Sequence, residues 1–496
     1  MKNRYQDFEK LVKDIHRIEN SMGLIEWDME IMMPPKASIT RAEQLSTLAG
    51  IHHKLITSDE LTALITELEN EKDLDEHQRA NIRLMKRTTT RARKIPESLS
   101  RRLKEVTALA HNIWVEARKK ADFSSYAEIL DKIIRLKKEE TNLVGYAEHR
   151  YDALLDDHEQ GMTLSQLKKI FDPLKEKQIS LIDKISKSKV KIDDTKILSD
   201  YPEEKQKKLC KEVAELMGFD FEAGRLDVSA HPFCSCITND VRLTTRYDNC
   251  NFTSSLLSVI HEAGHGLYEQ GMPLQYAFTP VATGASHAIH ESQSQLMENM
   301  MGRSLSFWKY LYPKVQQYFP NLNKIPLEEF YRIINRVKKN LIRVDADELT
   351  YNLHIILRME IEAAIFADEI EMKDLPQIWN EMIFKYLGIK PKDDAEGVLQ
   401  DMHWSFGGFG YFPSYTLGNI YAAQFFAKAK DDIPNLDDEF SKGNISPLGQ
   451  WLKKNIHQKG SLYQPADLVK KVTGKEISSD DYLNYLEKKY SKIYNL

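Results

Sequence analysis

Two histidines four residues apart, with a glutamate directly after the first, form the strongest chemical signal in the chain. They are His261 and His265 in the segment S-V-I-H-E-A-G-H-G-L at 258–267, and the glutamate is Glu262. On a helix this spacing brings both imidazoles to one face, where a zinc ion binds such rings at ~2.0–2.1 Å. Glu262 then lies about 100° round the helix, within reach of a zinc-bound water. A base beside such a water is what amide hydrolysis requires, so the segment predicts a zinc hydrolase.

A catalytic zinc site also needs a third protein ligand, and several downstream residues compete for this role. A histidine six positions beyond His265 would indicate the metzincin pattern, but Gly271 stands there. Glu291 opens another periodic apolar segment and, on a second helix packed against the first, is the natural carboxylate ligand. His287 and His290 are the alternative ligands. If they do not bind the ion, they donate hydrogen bonds to its ligands or pack as buried imidazoles.

The elements that must position these residues are mostly helices. Apolar residues recur at intervals of three and four along most of the chain, which predicts amphipathic helices and a mostly α fold. The clearest such segments are 7–32, 98–120, 125–151, 164–187, 351–371 and 376–388. Gly284 and Ser286 supply a breaker and a cap just before the helix that carries Glu291.

One region before the histidine pair has the period of a strand. Asp240 to Tyr247 alternates apolar and polar residues, and β-prone residues at 226–238 complete a small predicted sheet. A turn at 248–251 follows. Thr253 or Ser254 is expected to cap the helix that carries the histidine pair. The sheet is therefore predicted to flank the zinc helix.

Composition and charge exclude several classes of partner. The 496 residues are 42% hydrophobic and have a net charge of −5, so neither nucleic acid nor a membrane surface meets a basic field. The chain has no membrane-spanning apolar window and no secretory signal at its start, and a cytoplasmic location is expected. Cys234 and Cys236 form a C-x-C, but no second pair has ligand spacing, which favours reduced structural thiols.

Several motifs in order along the chain resemble those of the carboxypeptidase Taq family of metallocarboxypeptidases. The central ones are H-E-A-G-H at 261–265 and H-E-S-Q at 290–293. The others are W-D-M-E-I-M-M-P at 27–34, R-A-E-Q-L at 41–45, H-P-F at 231–233, D-V-R-L-T at 240–244, I-R-V-D-A-D at 342–347 and G-V-L-Q-D-M-H-W at 397–404. The resemblance covers essentially the whole chain.

The resemblance implies a complete set of metal ligands and a fold. It implies one zinc ion per chain, bound by His261, His265 and Glu291, with Glu262 as general base and acid. Cobalt and manganese are possible substitutes. It also implies a single helical catalytic unit over 1–496 with a deep groove, similar in architecture to angiotensin-converting enzyme and the thimet oligopeptidases. Residues 1–200 are expected to cover the groove and 201–496 to bear the zinc.

The resemblance further implies the reaction and the partners. Members remove C-terminal residues from peptides with broad specificity, and the enzyme is expected to form a homodimer. The first alternative is an endo-acting zinc oligopeptidase of the same class. The second is a binding or chaperone-like protein whose zinc is structural, but such a site would be closed by four protein ligands.

A carboxypeptidase must bind a free α-carboxylate, which favours a positioned guanidinium. Arg343 is the first candidate, and the alternative is a surface ion pair with Asp347 at i,i+4. In the predicted strand Arg242 lies either on a solvated sheet edge or on the groove wall, where the strand offers its backbone to a peptide. His231 is predicted to hydrogen-bond a substrate carbonyl or to be a buried structural histidine.

Amide hydrolysis also needs a donor for the developing oxyanion. The glycine-rich, aromatic segment 403–415 contains His403 and two tyrosines that follow it. In the related oligopeptidases a histidine and a following tyrosine perform this task. Tyr415, twelve residues beyond His403, is the first candidate and Tyr411 the second; either can instead be a core aromatic.

Overall fold

The computed structural model describes residues 2–496, with side chains from residue 4 onward, and most of this chain is helical. Twenty α-helices lie within these residues. They are α1 (Lys2–Ile31), α2 (Ser38–Ile56), α3 (Asp59–Glu69), α4 (Glu76–Lys94), α5 (Glu97–Lys120), α6 (Ser124–Val144), α7 (Asp152–His158), α8 (Leu164–Lys187), α9 (Glu203–Met217), α10 (Phe252–Gln270), α11 (His287–Gln295), α12 (Leu305–Tyr318), α13 (Leu327–Ile334), α14 (Tyr351–Phe366), α15 (Leu375–Leu387), α16 (Pro413–Asp432), α17 (Leu436–Ser441), α18 (Ser446–Asn455), α19 (Pro465–Thr473) and α20 (Asp480–Tyr494). The mostly α prediction is confirmed.

The predicted helical segments are all found, with differences at their ends. The helix predicted over 125–151 ends at Val144, because Gly145 adopts a φ of 91° that ends the helical backbone. The one predicted over 351–371 ends at Phe366. Such ends depend on local backbone conformation, which apolar periodicity does not record.

The predicted sheet is present and has three strands within residues 2–496, in the order β1-β3-β2. They are β1 (Gly224–Val228), β2 (Cys234–Ile237) and β3 (Asp240–Thr245). β3 pairs parallel to β1 and antiparallel to β2. The strand predicted from alternation is therefore the central one. The expectations that it forms a solvated edge, or offers its backbone to a peptide, are wrong, since both of its edges are already paired.

The helix that carries the histidine pair, α10, packs against β3 and against α11, the helix that carries Glu291. Its N-cap is Asn251, whose side chain accepts a hydrogen bond from the Thr253 amide. The expected cap at Thr253 or Ser254 is wrong, because the preceding turn ends earlier and asparagine caps as well as serine does. Ser286 caps α11 as predicted.

Glycines allow the ligand-bearing helices to approach one another closely. A Cβ on Gly264 would lie 2.6 Å from the Ser294 Cα, so α10 and α11 meet without a side chain between them. A Cβ on Gly418 would lie 2.5 Å from the Glu291 Cγ, so α16 presses on the other side of α11. Any larger residue at either position would have to displace the helix that carries Glu291.

A groove of about 760 Å³ runs past these helices. Its walls come from the N-terminal helices, which include His16 and Glu19, and from β2, α10, α11 and the 411–415 segment. The N-terminal helices have a small apolar cluster of their own, separate from the large core that supports α10 and α11. The division of the chain at residue 200 stays a prediction. No helix within residues 2–496 is long and apolar enough to cross a membrane.

Candidate metal centre

Three side chains from two helices converge at one point on the groove wall. The donor atoms of His261, His265 and Glu291 all lie within 4.8 Å of one another. The Glu291 Oε2 is 3.5 Å from the His265 Nε2 and 4.0 Å from the His261 Nε2. Donors bound to one tetrahedral ion at ~2.0–2.2 Å are separated by about 3.3 Å, so a small closure suffices. Two imidazoles and one carboxylate fit a catalytic zinc ion.

The charges around this point also fit a cation. Glu262 and Glu291 are 7% and 8% exposed, and Glu298 lies beside them. Burial, with the neighbouring Glu291 and Glu298, raises the pKa of Glu262 to about 7. Burial disfavours a charged His261, but Glu291 and Glu298 outweigh it and raise its pKa to about 10. Burial lowers the pKa of His265 to about 4. A divalent ion offsets the negative charge of these carboxylates and favours a deprotonated Glu262.

The two histidines are held by partners on their Nδ1 atoms. The His261 Nδ1 is 3.0 Å from the Glu298 Oε2, and the Arg303 guanidinium donates to the other oxygen of Glu298 at 2.8 Å. The His265 Nδ1 is 2.6 Å from the His290 Nδ1. Such contacts would fix each ring with its Nε2 available to a metal ion. Glu291 is itself held, since the Gln295 Nε2 donates to its Oε1 at 2.6 Å.

Glu298 is a residue that the sequence reasoning missed. It lies seven positions after Glu291, in a π-helical turn over Leu296–Gly302 that continues α11. A carboxylate inside the apolar run L-M-E-N-M-M is a signal that could have found it, because an acidic residue is rarely buried without a partner.

Removal of the Glu298 carboxylate is expected to weaken metal binding. In Glu298→Ala the His261 Nδ1 loses its acceptor and the ring is no longer fixed, so metal affinity should fall about 10- to 100-fold. Competition with a chelator measures this change. The exposed Glu328 provides the control variant Glu328→Ala, which should bind as the wild type does. Equal affinities for the two variants would contradict the role given to Glu298.

Tyr411 and Tyr415 line the same groove as Glu262 and the three ligands. Their rings are 5.3 Å apart between centroids. The Tyr415 hydroxyl is 3.5 Å from the His403 Nε2, so the predicted histidine–tyrosine pair is brought together. His403 itself is mostly buried behind the tyrosines, and burial lowers its pKa to about 4. Both tyrosines remain candidates for the oxyanion donor.

Tyr411 and Tyr415 form an aromatic wall of the groove. Arg343 lies behind this aromatic wall and is 7% exposed. Its Nε and Nη2 donate to the Asp401 Oδ1 at 3.0 and 2.8 Å, and its Nη1 donates to the Tyr351 hydroxyl at 3.0 Å. The guanidinium carbon is 5.4 Å from the centre of the Tyr415 ring. The alternative of an exposed ion pair with Asp347 is wrong, because the Asp347 carboxylate accepts instead from Thr350 and from backbone amides.

His231 and Arg242 are not among the residues that line the groove. The alternative of a buried structural histidine is wrong for His231, because this residue is exposed. Its backbone carbonyl accepts from the Ser229 hydroxyl at 2.5 Å. The Arg242 guanidinium pairs with Asp240 at 2.7 Å and lies 4.2 Å from the centre of the Trp27 ring. Arg242 therefore links β3 to α1. The substrate-binding roles of both residues stay predictions.

The chain is similar to known metallopeptidases over almost its whole length. Residues 7–490 match the carboxypeptidase Taq (M32) metallopeptidase family. The chain is 41% identical over 494 residues to "Carboxypeptidase 1" of Bacillus subtilis, with 99% of each chain covered. It is 39% identical to "Thermostable carboxypeptidase 1" of Thermus thermophilus, again with 99% of each covered.

Solved structures resemble the chain over its whole length. An M32 carboxypeptidase from Deinococcus radiodurans R1 superposes with a TM-score of 0.97 at 32% identity, with 100% of each chain covered. Metallocarboxypeptidase 1 of Trypanosoma cruzi gives a TM-score of 0.95 at 37% identity, over 99% of this chain and 100% of that one. Fold and sequence point to the same family.

Proposed function

Because the chain belongs to the carboxypeptidase Taq (M32) family of metallopeptidases, we propose that it releases C-terminal amino acids from peptides with broad specificity. The enzyme is a metallocarboxypeptidase. The proposed ion is one zinc per chain, held by His261, His265 and Glu291. The observation that carries the proposal is the meeting of these donors with Glu262 on the wall of one groove.

Glu262 is the group proposed to move protons. A divalent metal, when bound, acts as a Lewis acid that polarises a carbonyl and lowers the pKa of water. The Glu262 carboxylate takes the proton of the attacking water and then passes it to the leaving amine. Its burial and its place next to His261 on α10 support this role, because a buried base near the reacting atoms transfers protons without competition from bulk water.

The aromatic wall is proposed to stabilise the developing oxyanion, and Arg343 behind it is proposed to bind the C-terminal end of the substrate. The Tyr415 hydroxyl, held near His403, is the proposed donor to the developing oxyanion, and Tyr411 is the second candidate. Arg343 is the proposed partner of the substrate carboxylate. Since Asp401 and Tyr351 already accept from its nitrogens, the carboxylate would share a guanidinium that these neighbours hold in place.

Cleavage of a peptide with a free or an amidated C-terminus tests the proposal. The free peptide should lose residues one at a time from its end. The amidated peptide should react about 10- to 100-fold more slowly, since a hydrogen bond to a charged group is worth roughly 1.5–3 kcal/mol. Timed mass spectrometry measures both reactions. Acetylation of the N-terminus is the matched control and should leave the rate unchanged.

Equal rates of cleavage for the two peptides, or cleavage at internal bonds of the peptide, would contradict the proposal. That result would favour the endo-acting zinc oligopeptidase instead. Zinc rather than cobalt or manganese, the homodimer and the cytoplasmic location are further parts of the proposal that rest on the resemblance and the sequence composition. Metal analysis of the purified protein tests the first of these.

A further inference from the structure

A second group of metal-binding side chains lies beside the first. The donor atoms of Cys236, Glu269 and His290 are within 4.8 Å of one another. Cys236 comes from β2, Glu269 from the last turn of α10 and His290 from α11, directly before Glu291. Three elements thus bring a thiol, a carboxylate and an imidazole to one point. All three residues line the groove, so an ion has a path to them.

The distances in this group suit a tetrahedral ion. The Cys236 Sγ is 3.5 Å from the His290 Nε2, and the Glu269 Oε1 is 2.9 Å from the same nitrogen. With Zn–S of ~2.3 Å and Zn–N of ~2.0–2.1 Å, a sulfur and a nitrogen on one ion are about 3.6 Å apart. A nitrogen and an oxygen are about 3.3 Å apart, so the carboxylate has only to move back slightly.

We propose that Cys236, Glu269 and His290 form a second, inhibitory site for a thiophilic divalent cation, such as Zn²⁺, Co²⁺ or Cd²⁺. The thiolate and the imidazole select these ions over the hard cations Mg²⁺ and Ca²⁺, which prefer oxygen ligands. Three protein donors leave one position for water. From the sequence, the C-x-C motif predicted reduced structural thiols. In this proposal its second cysteine, Cys236, is a metal donor.

The inhibitory role rests on the proposed function, and it follows from the contact between His290 and His265. Their Nδ1 atoms are 2.6 Å apart, so one ring carries the hydrogen of this bond and the other accepts it. A neutral imidazole has one hydrogen for two nitrogens. If both rings bind metal through Nε2, both Nδ1 atoms carry hydrogen and this bond is lost. The second ion thus removes the contact that orients His265 and places a positive charge on the groove wall.

Cobalt titration of the enzyme that already holds one cobalt ion tests the proposal. A second equivalent should produce a thiolate-to-cobalt charge-transfer band, which the His261, His265 and Glu291 set has no sulfur to give. Metal analysis should find two ions per chain. In Cys236→Ser the band should be absent and one ion should remain. Cys250→Ser is the matched control, since Cys250 is an exposed thiol in the turn before α10, and it should behave as the wild type.

Activity measured during the same titration tests the inhibitory role. Excess cobalt should slow peptide cleavage by about tenfold or more in the wild type and in Cys250→Ser, as loss of a contact to a metal ligand does. Cys236→Ser should keep the rate of its own one-metal form. A single bound ion in the wild type, or a band that persists in Cys236→Ser, would overturn the site. Two bound ions with an unchanged rate would overturn the inhibition. The spectra and metal content do not depend on the reaction, so they distinguish failure of the site from failure of the proposed function.

Discussion

Glu262→Gln is expected to reduce kcat by roughly 10²–10⁴-fold while the metal stays bound. The amide keeps the size of the side chain but cannot take a proton from water. His261, His265 and Glu291 are untouched, so metal content should remain at one ion per chain. Single-turnover cleavage of a short peptide measures the rate, and elemental analysis of the same sample measures the metal.

The exposed Glu222 gives a matched replacement of the same chemistry, Glu222→Gln, which should retain the wild-type rate. Substantial turnover by Glu262→Gln with bound metal would contradict the assignment of Glu262 as the base. Loss of metal from this variant would instead show that its carboxylate helps to hold the ion.

Asp401→Asn is expected to destabilise the protein by about 3–5 kcal/mol. Asp401 bridges two buried arginines: its Oδ1 accepts from Arg343, and its Oδ2 accepts from the Arg358 Nε at 2.7 Å. Arg358 is wholly buried. The Arg358 and Arg343 guanidinium groups hold the pKa of the Asp401 carboxyl well below its usual range despite burial. Without the carboxylate, two positive charges remain in the interior without the group that pairs with both of them.

Urea-induced unfolding followed by circular dichroism measures this loss. Asp183→Asn is the control, because the exposed Asp183 pairs with Lys187 on the surface of α8 and such pairs contribute at most about 1 kcal/mol. A loss of unfolding free energy of only about 1 kcal/mol for Asp401→Asn would contradict the stabilising role given to its carboxylate. The variant should also weaken discrimination between free and amidated peptides, since Arg343 would lose the partner that positions it.

The proposed metal ligands are predictable from sequence because their geometry is mostly local. Spacing of four residues brings His261 and His265 to one face of any helix. Glu291 follows on the next predicted helix as the natural carboxylate ligand, and the resemblance implies the same residue. Glu298 is different, because it lies next to His261 only if the π-helical turn after α11 packs against α10. Neither the apolar periodicity nor the spacing of residues predicts that packing.

The contacts that the sequence does not predict mostly join residues that are far apart in the chain. Asp401 lies 58 residues after Arg343, and nothing in either segment indicates that the two meet. The alternation in β3 predicts a strand, but not that β1 and β2 lie on either side of it. Helix ends and the cap at Asn251 depend on backbone angles that one sequence does not specify.

The glycine contacts between helices have a consequence for how the enzyme acquires its metal. Gly264 and Gly418 let α10 and α16 enclose α11 on two sides, so Glu291 is fixed by the core rather than by the ion. The entropy lost in ordering the ligands is therefore lost when the chain folds, not when the metal arrives. The folded protein is expected to release and regain its ion reversibly, and the supply of metals in its surroundings then decides which one it carries.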